Sequence, residues 1–154
     1  MKVDGLVDNV LDLSHEAAIG LPKVAVTSDF HCVTTWSRLD NAWEGIQFRT
    51  IVDRARPKPE ARFVTFECGD GYTTSLPLSD LLAENVLLAY SLDGKRLTAE
   101  HGGPLRLVVP QKYGYKSAKW VQRIMFTAAK ELGYWEERGY SDTADPWTED
   151  RYSR

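Results

Sequence analysis

The sequence predicts an α+β chain of short strands with a few short helices, and three observations carry that expectation. Short apolar, β-branched runs recur between glycines, prolines and Asp-Gly pairs, the pattern of strands closed by tight turns. Phe48, Ile51, Val52 and Ala55 fall at i, i+3, i+4 and i+7, the stripe of one short amphipathic helix. No repeat, low-complexity tract or convincing linker interrupts the 154 residues, so a single domain over residues 1–154 is expected.

Taken in order, Val3–Leu13 alternates loosely around an Asp4-Gly5 turn signal and reads as a short strand followed by a turn. Ser14 can cap a helical turn over His15–Ala18 before Gly20-Leu21-Pro22 breaks it. Val24–Val26 is β-branched and leads into Cys32, which is expected at or just beyond a strand end. The helix over Phe48–Ala55 must stop at Pro57 and Pro59. Arg62–Glu67 and Tyr72–Leu76 form a hairpin through Asp70-Gly71, Ser79 caps a helix to about Ala83, and Val86–Tyr90 is an apolar strand turned back at Asp93-Gly94. Trp120–Ala129 is ambiguous: Trp120, Ile124 and Ala128 suit a helix, whereas Val121, Ile124 and Phe126 suit a strand. The tail around Pro146-Trp147 is expected to lie over the domain.

Composition excludes several classes. Hydrophobic residues at 43% and charged residues at 27% are ordinary for a soluble globular protein, and a net charge of −3 gives no global reason to expect nucleic acid or an acidic membrane. Met1-Lys2-Val3-Asp4-Gly5 has neither an apolar core nor a twin arginine, and no uncharged apolar run approaches membrane-spanning length, so a cytoplasmic location is expected. Two cysteines make no disulfide framework, and the paired CxxC or HxxxH spacing of a zinc site is absent. A Cys32–Cys68 bridge is the less expected state for a cytosolic chain.

Two stretches carry chemistry. In Asp29-Phe30-His31-Cys32-Val33-Thr34-Thr35-Trp36-Ser37 one cysteine stands between a histidine and a run of hydroxyl and aromatic side chains. A lone cysteine is most often a small buried hydrophobe. As a thiolate it is also a soft metal ligand or a nucleophile whose reactivity follows nearby cations. A thiol enzyme using Cys32 is disfavoured with His31 as base, because adjacent residues on a strand face opposite ways; His101 is the other candidate base. The second stretch, His101–Lys130, contains no Asp or Glu but carries Arg106, Lys112, Lys116, Lys119, Arg123 and Lys130. A solvated basic face explains such a run in plain terms. Interleaved glycines, tyrosines and Ser117 favour a pocket for a small anionic ligand with a flat ring: glycine admits close approach, Arg forks onto phosphate and Lys supplies a point charge. Five Trp and seven Tyr supply rings for such a pocket.

The order His31-Cys32-Val33-Thr34-Thr35-Trp36-Ser37, His101-Gly102-Gly103-Pro104-Leu105-Arg106-Leu107-Val108-Val109-Pro110, Tyr113-Gly114-Tyr115-Lys116-Ser117-Ala118-Lys119-Trp120 and Gly133-Tyr134-Trp135-Glu136 with Arg138-Gly139-Tyr140-Ser141 resembles the molybdopterin-binding domain of the sulfite oxidase family. The resemblance extends over nearly the whole chain and implies that family's fold, mixed β-sheets with short helices, which favours a strand over Trp120–Phe126. It implies a Mo-molybdopterin cofactor with Cys32 as the thiolate ligand of molybdenum. His101, Arg106, Ser117, Ala118 and Lys119 would hold the pterin and its phosphate. His31 and Thr34 would flank the metal ligand, and Cys68 would approach the cofactor from a strand end or, equally, pack as a buried thiol. Tyr134 or Tyr140 could orient substrate, although core packing is the more ordinary role of either.

The implied activity is oxygen-atom transfer on a small oxyanion such as sulfite, or on a sulfoxide, with electrons exchanged with a separate electron-transfer protein. A cation-rich pocket would draw an oxyanion, and a pocket with fewer cations would suit a neutral sulfoxide. The alternative is a non-catalytic or truncated pterin-binding domain without redox turnover.

Overall fold

The alternation of apolar and polar residues is sorted into two β-sheets that close on a shared core. The structure, a computed structural model, describes residues 1–32, 37–141 and 143–152. In chain order the elements are β1 (Lys2–Gly5), β2 (Leu11–Asp12), α1 (His15–Ile19), β3 (Lys23–His31), β4 (Ser37–Gln47), α2 (Phe48–Ala55), β5 (Phe63–Cys68) and β6 (Thr73–Pro77). They continue with α3 (Leu78–Leu81), β7 (Leu87–Leu92), β8 (Lys95–Arg96), β9 (Arg106–Val108) and β10 (Val121–Thr127), plus 3-10 turns at Gly114–Lys116 and Glu136–Arg138. One sheet runs β2-β1-β10-β5-β6, with β1 parallel to β10 and its other neighbours antiparallel. The second runs β3-β4-β7-β8, and β9 also pairs with β7.

The core lies between them. Ile46, Leu88 and Leu107 from the second sheet meet Val3, Val64, Phe66, Ile124 and Phe126 from the first, all but fully buried. Helix α2 fills the seam: Phe48 is inaccessible, its ring centroid 5.8 Å from that of Phe66 and 6.4 Å from that of Phe126. Strand β7 is buried on both faces. Leu88 and Tyr90 enter the main core, while Leu87 and Ala89 join Trp43 and Val108 in a second cluster padded by Val24, Val26 and Phe30. That second cluster is what holds the end of β3, and with it Cys32, against the body of the protein.

Most elements follow the sequence signals. Ser14 caps α1 through a hydrogen bond from the Ala17 N–H at 3.1 Å, and α2 has the predicted bounds, ending on Arg56 in the left-handed region (φ 50°) before Pro57. Asp93 and Gly94 turn β7 into β8 with φ of 51° and 81°. The ambiguous stretch is a strand, β10, because the alternating residues Val121, Ile124 and Phe126 are the ones buried. Two expectations need correction, and one strand is without any sequence expectation. Ser79 does not cap α3: the helix starts at Leu78 after Pro77, with no side-chain cap bond. Cys68 belongs to β5 and not to the turn. Strand β4, the longest of the fold, carries no strand signature in SRLDNAWEGIQ, since its first four residues are exposed.

The tail does lie over the domain: Ala144 O accepts from the Tyr113 N–H at 2.7 Å, and the Trp147 ring stands edge-on to His31. Among the described residues no helix is long and apolar enough to cross a membrane. Replacing Phe48 by Ala should cost about 3–5 kcal/mol, the range for emptying a buried aromatic site, measured as a lowered midpoint in denaturant unfolding with little change in slope.

Candidate functional site

The site is built around the segment that links β9 to β10. Chain direction reverses there in the 3-10 turn Gly114–Lys116, whose first residue lies directly beneath the end of β3. A Cβ on Gly114 would collide with the Phe30 ring and press on His31 O, so only glycine lets the two segments approach. Beside this crossing opens a cavity of about 510 Å³. It is lined by Tyr115, Ser117, Lys119 and Trp120 from this segment, by Tyr134 and Trp135, and by the Asp70-Gly71-Tyr72 turn of the β5–β6 hairpin. Trp120 sits in the left-handed region (φ 51°), held by hydrogen bonds from its N–H to Gly102 O (3.1 Å), from its indole to Ala99 O (2.7 Å) and from the Gly69 N–H to its carbonyl (3.0 Å). A bulky residue in that conformation stores strain of the kind that clusters at functional sites.

The fate of each cation separates binding from structural roles. Lys112 pairs with Asp80 at 3.4 Å, Arg123 grips Asp4 at 3.0 Å, and Lys116 is buried against Glu136. Arg106 and Lys119 end on carbonyl oxygens instead. Arg106 donates to His101 O at 3.1 Å and Ser117 O at 2.9 Å, and its guanidinium lies over the Phe30 and Trp43 rings at 5.5 and 5.3 Å. Burial pulls its pKa down to about 10, still charged at neutral pH. Lys119 donates to Glu100 O at 3.0 Å, and partial burial together with the Arg106 charge lowers its pKa. Gly102 belongs to this arrangement: its missing side chain makes room for the stems of Lys119 and Arg106 and not for a ligand.

The other predicted residues divide. Ser117 is buried, and its hydroxyl accepts from the Val109 N–H at 3.0 Å. Ala118 points into the core, where it is 1% exposed, and its carbonyl accepts from the Leu107 N–H. The His101 side chain is exposed, and only its carbonyl takes part, holding Arg106. Cys32 is half-buried just past β3, on the segment that Gly114 and Arg106 contact through Phe30. His31 is bonded from Nδ1 to Ser37 Oγ at 2.9 Å, across the Cys32 segment. Thr34 lies outside the described residues. Tyr134 lines the cavity, its ring 6.0 Å from Tyr72. Tyr140 packs against Tyr115 and Trp135, its ring centroid 5.7 Å from the first in a tilted contact and 5.4 Å from the second edge-on. Cys68 is a buried packing thiol and forms no disulfide with Cys32.

Tyr72 and Glu136 were not singled out by sequence. Tyr72 donates to Tyr115 O, and burial, then the nearby Glu136 carboxylate, pushes its pKa up. A tyrosine one residue past an Asp-Gly turn gives no signal of this. Among the described residues no three His, Cys, Asp or Glu side chains group as metal ligands.

Burial, then the Asp70 carboxylate, pushes the Cys68 thiol up to about 12 from 9.0. Thiolate is the reactive form, so Cys68 should resist iodoacetamide at pH 8 in the folded protein and label fully in denaturant, as read by mass spectrometry. The sign for stability follows: the folded thiol keeps its proton after the unfolded one has lost it, so this contribution falls as pH rises from 9.0 toward 12.

Comparison with known proteins agrees with this architecture. The profile of the oxidoreductase molybdopterin binding domain family matches residues 1–135. The chain is 46% identical over 153 residues to the uncharacterised oxidoreductase YuiH of Bacillus subtilis, covering 99% of this chain and 77% of that one. It is 33% identical to the putative protein-methionine-sulfoxide reductase subunit YedZ1 of Azospira oryzae, and 31% identical to the protein-methionine-sulfoxide reductase catalytic subunit MsrP of Campylobacter jejuni. Each of these two matches covers 92% of this chain but 53% of the relative, so the chain spans about half their length. Among solved structures, the sulfane dehydrogenase SoxCD of Paracoccus pantotrophus superposes with a TM-score of 0.76 at 24% identity, over 84% of this chain and 38% of that one. At that identity the likeness concerns the fold.

Proposed function

The chain belongs to the oxidoreductase molybdopterin binding domain family, and from that premise we propose that it is a molybdenum-cofactor-dependent oxidoreductase that reduces an uncharged sulfoxide. The observation that carries the choice of substrate is the composition of the cavity wall. Five of its lining residues are aromatic, one is a cation, Lys119, and one is an acid, Asp70. A wall of that kind buries the apolar arms of a sulfoxide and exerts little net pull on an oxyanion such as sulfite. The names of the two sulfoxide reductase relatives are in keeping with it.

The residues fit the cofactor. Arg106 and Lys119 have their charges solvated by carbonyls and, among the described residues, paired with no carboxylate, an arrangement that a phosphate beside them would complete. Ser117 stands between them, and the Cys32 thiolate would be the protein's ligand to the metal. When bound, the cofactor supplies two-electron oxygen-atom transfer; over a turnover a sulfoxide, two electrons and two protons give a sulfide and water, with electrons from a separate electron-transfer protein. Tyr72, Tyr115, Tyr134 and Trp135 exclude water from the sulfoxide and orient it, and Cys68 takes no part beyond packing.

The test is metal analysis of protein purified from a host that makes the cofactor, followed by parallel assays of methionine sulfoxide reduction and sulfite oxidation. The expected result is about one molybdenum per chain, lost in Cys32→Ser, and sulfoxide turnover at least about tenfold more efficient than sulfite turnover. Faster sulfite turnover would move the substrate to oxyanions. Bound pterin with no turnover would leave a carrier, and thiol-dependent activity without molybdenum would make Cys32 a nucleophile.

A further inference from the structure

Behind the cavity two charges sit where solvent does not reach. The side chains of Lys116 and Glu136 are 0% and 1% exposed and form an ion pair. Lys116 Nζ also donates to Ser75 O at 2.9 Å, and the paired Glu136 oxygen accepts from Thr74 Oγ1 at 2.8 Å. Three parts of the chain are thereby tied at one point: the 3-10 turn Gly114–Lys116, strand β6 and the segment Gly133–Glu136.

Each partner adjoins cavity wall. Lys116 lies between Tyr115 and Ser117, and Glu136 directly follows Tyr134 and Trp135. Those two rings are 39% and 38% exposed, so their own burial fixes them weakly. The main chain ties them to the sheet at one point, where Tyr134 donates to Thr73 O at 2.9 Å on the outer edge of β6 and a side chain on Gly133 would collide with that same carbonyl; the bonds from the Arg138 and Tyr140 N–H groups to Trp135 O, and the Arg138 guanidinium on Tyr134, stay within the segment. Glu136 is the one side chain of Gly133–Glu136 that is both charged and buried. Stability alone gives poor reason for it. Buried ion pairs are often matched by apolar residues of the same volume, and Glu136 Oε2 is buried with no hydrogen-bond partner among the described residues.

We propose that the Lys116–Glu136 pair is a latch across the cavity, in which Glu136 acts as a positioning residue that holds Tyr134 and Trp135 in place as the substrate-facing wall. The geometric half of the proposal, a segment fastened by one ion pair, stands on the contacts above. The functional half rests on the use of the cavity argued under the proposed function.

Two variants of the holoprotein test it. Glu136→Gln removes the charge and keeps the shape. Lys116→Met with Glu136→Gln removes both charges, so no unpaired charge stays buried and the fold is kept even if the single variant unfolds. Hydrogen exchange should speed up at least about tenfold across residues 132–141 in both variants, with β5 and β10 unchanged. KM for methionine sulfoxide should rise about tenfold with kcat within about twofold, the sign of lost substrate positioning without lost chemistry. Exchange over 132–141 that stays at the wild-type rate, or that rises only together with β5 and β10, overturns the latch. Faster local exchange with an unchanged KM overturns the positioning role. If the wild-type holoprotein fails to reduce any sulfoxide, the activity proposal falls, and the exchange result still decides the latch.

Discussion

A buried polar group must find a partner or cost about 1–3 kcal/mol, and in this protein that demand converges on Tyr113–Trp120. The Tyr113 hydroxyl is buried without a hydrogen-bond partner among the described residues, but most of the segment's other polar groups answer another part of the chain. Tyr113 N–H reaches the tail at Ala144, Tyr115 O takes the Tyr72 hydroxyl, and Lys116 takes Ser75 O and Glu136. Ser117 serves Arg106 with its carbonyl and Val109 with its hydroxyl, Ala118 serves Leu107, and Trp120 serves Gly69. No one of these groups can shift without orphaning a partner in another part of the chain. The segment is irregular in dihedral terms and rigid in energetic terms, which suits a surface that must present charges and rings in fixed places.

The same accounting explains why one acidic chain concentrates its cations where it does. Lys112, Lys116 and Arg123 are neutralised by Asp80, Glu136 and Asp4, carboxylates that come from outside the acid-free window. Arg106 and Lys119 are left to carbonyl dipoles, and burial weakens the protonated form of both. Carbonyls solvate a cation without cancelling its charge, so both side chains keep a charge that an anionic group set beside them can pair with. Cys68 shows the opposite treatment. It sits at the end of a strand close to the same hairpin, yet desolvation raises its pKa and keeps it a neutral thiol.

What could be read from the sequence was whatever a short-range rule governs. The α2 stripe, the Asp93-Gly94 turn, the Ser14 cap and the alternation of β10 each need only neighbouring residues, and each appears. Strand β4 escaped because its outer half is exposed on both faces and no alternation is selected there. Within the site, Lys116 and Lys119 look alike in sequence, three residues apart. One 3-10 turn sends the first inward to a carboxylate and leaves the second on the cavity wall. His101 and Ala118 were chosen with Arg106 and Ser117 by motif, but both act through their carbonyls while the histidine ring faces solvent and the methyl group faces the core. Side-chain direction in irregular backbone is set by long-range contacts, which spacing cannot carry.

Charge and shape are therefore supplied by different parts of the chain. The cations and the Cys32 segment hang from strands of the core, where β3, β4 and β9 hold them through Phe30, Trp43 and Val108. Two of the five aromatic rings of the wall come instead from Gly133–Glu136, which meets the core at the edge of β6 and through one buried carboxylate. Substitutions at Tyr134 or Trp135, both partly exposed, can reshape the cavity while the sheets stay intact. Substitutions at Arg106 cannot, because its guanidinium is also the hydrogen-bond partner of His101 and Ser117. A fold divided in this way can keep one anionic cofactor and change what it acts on, since the elements that would bind the first are not the ones that would select the second.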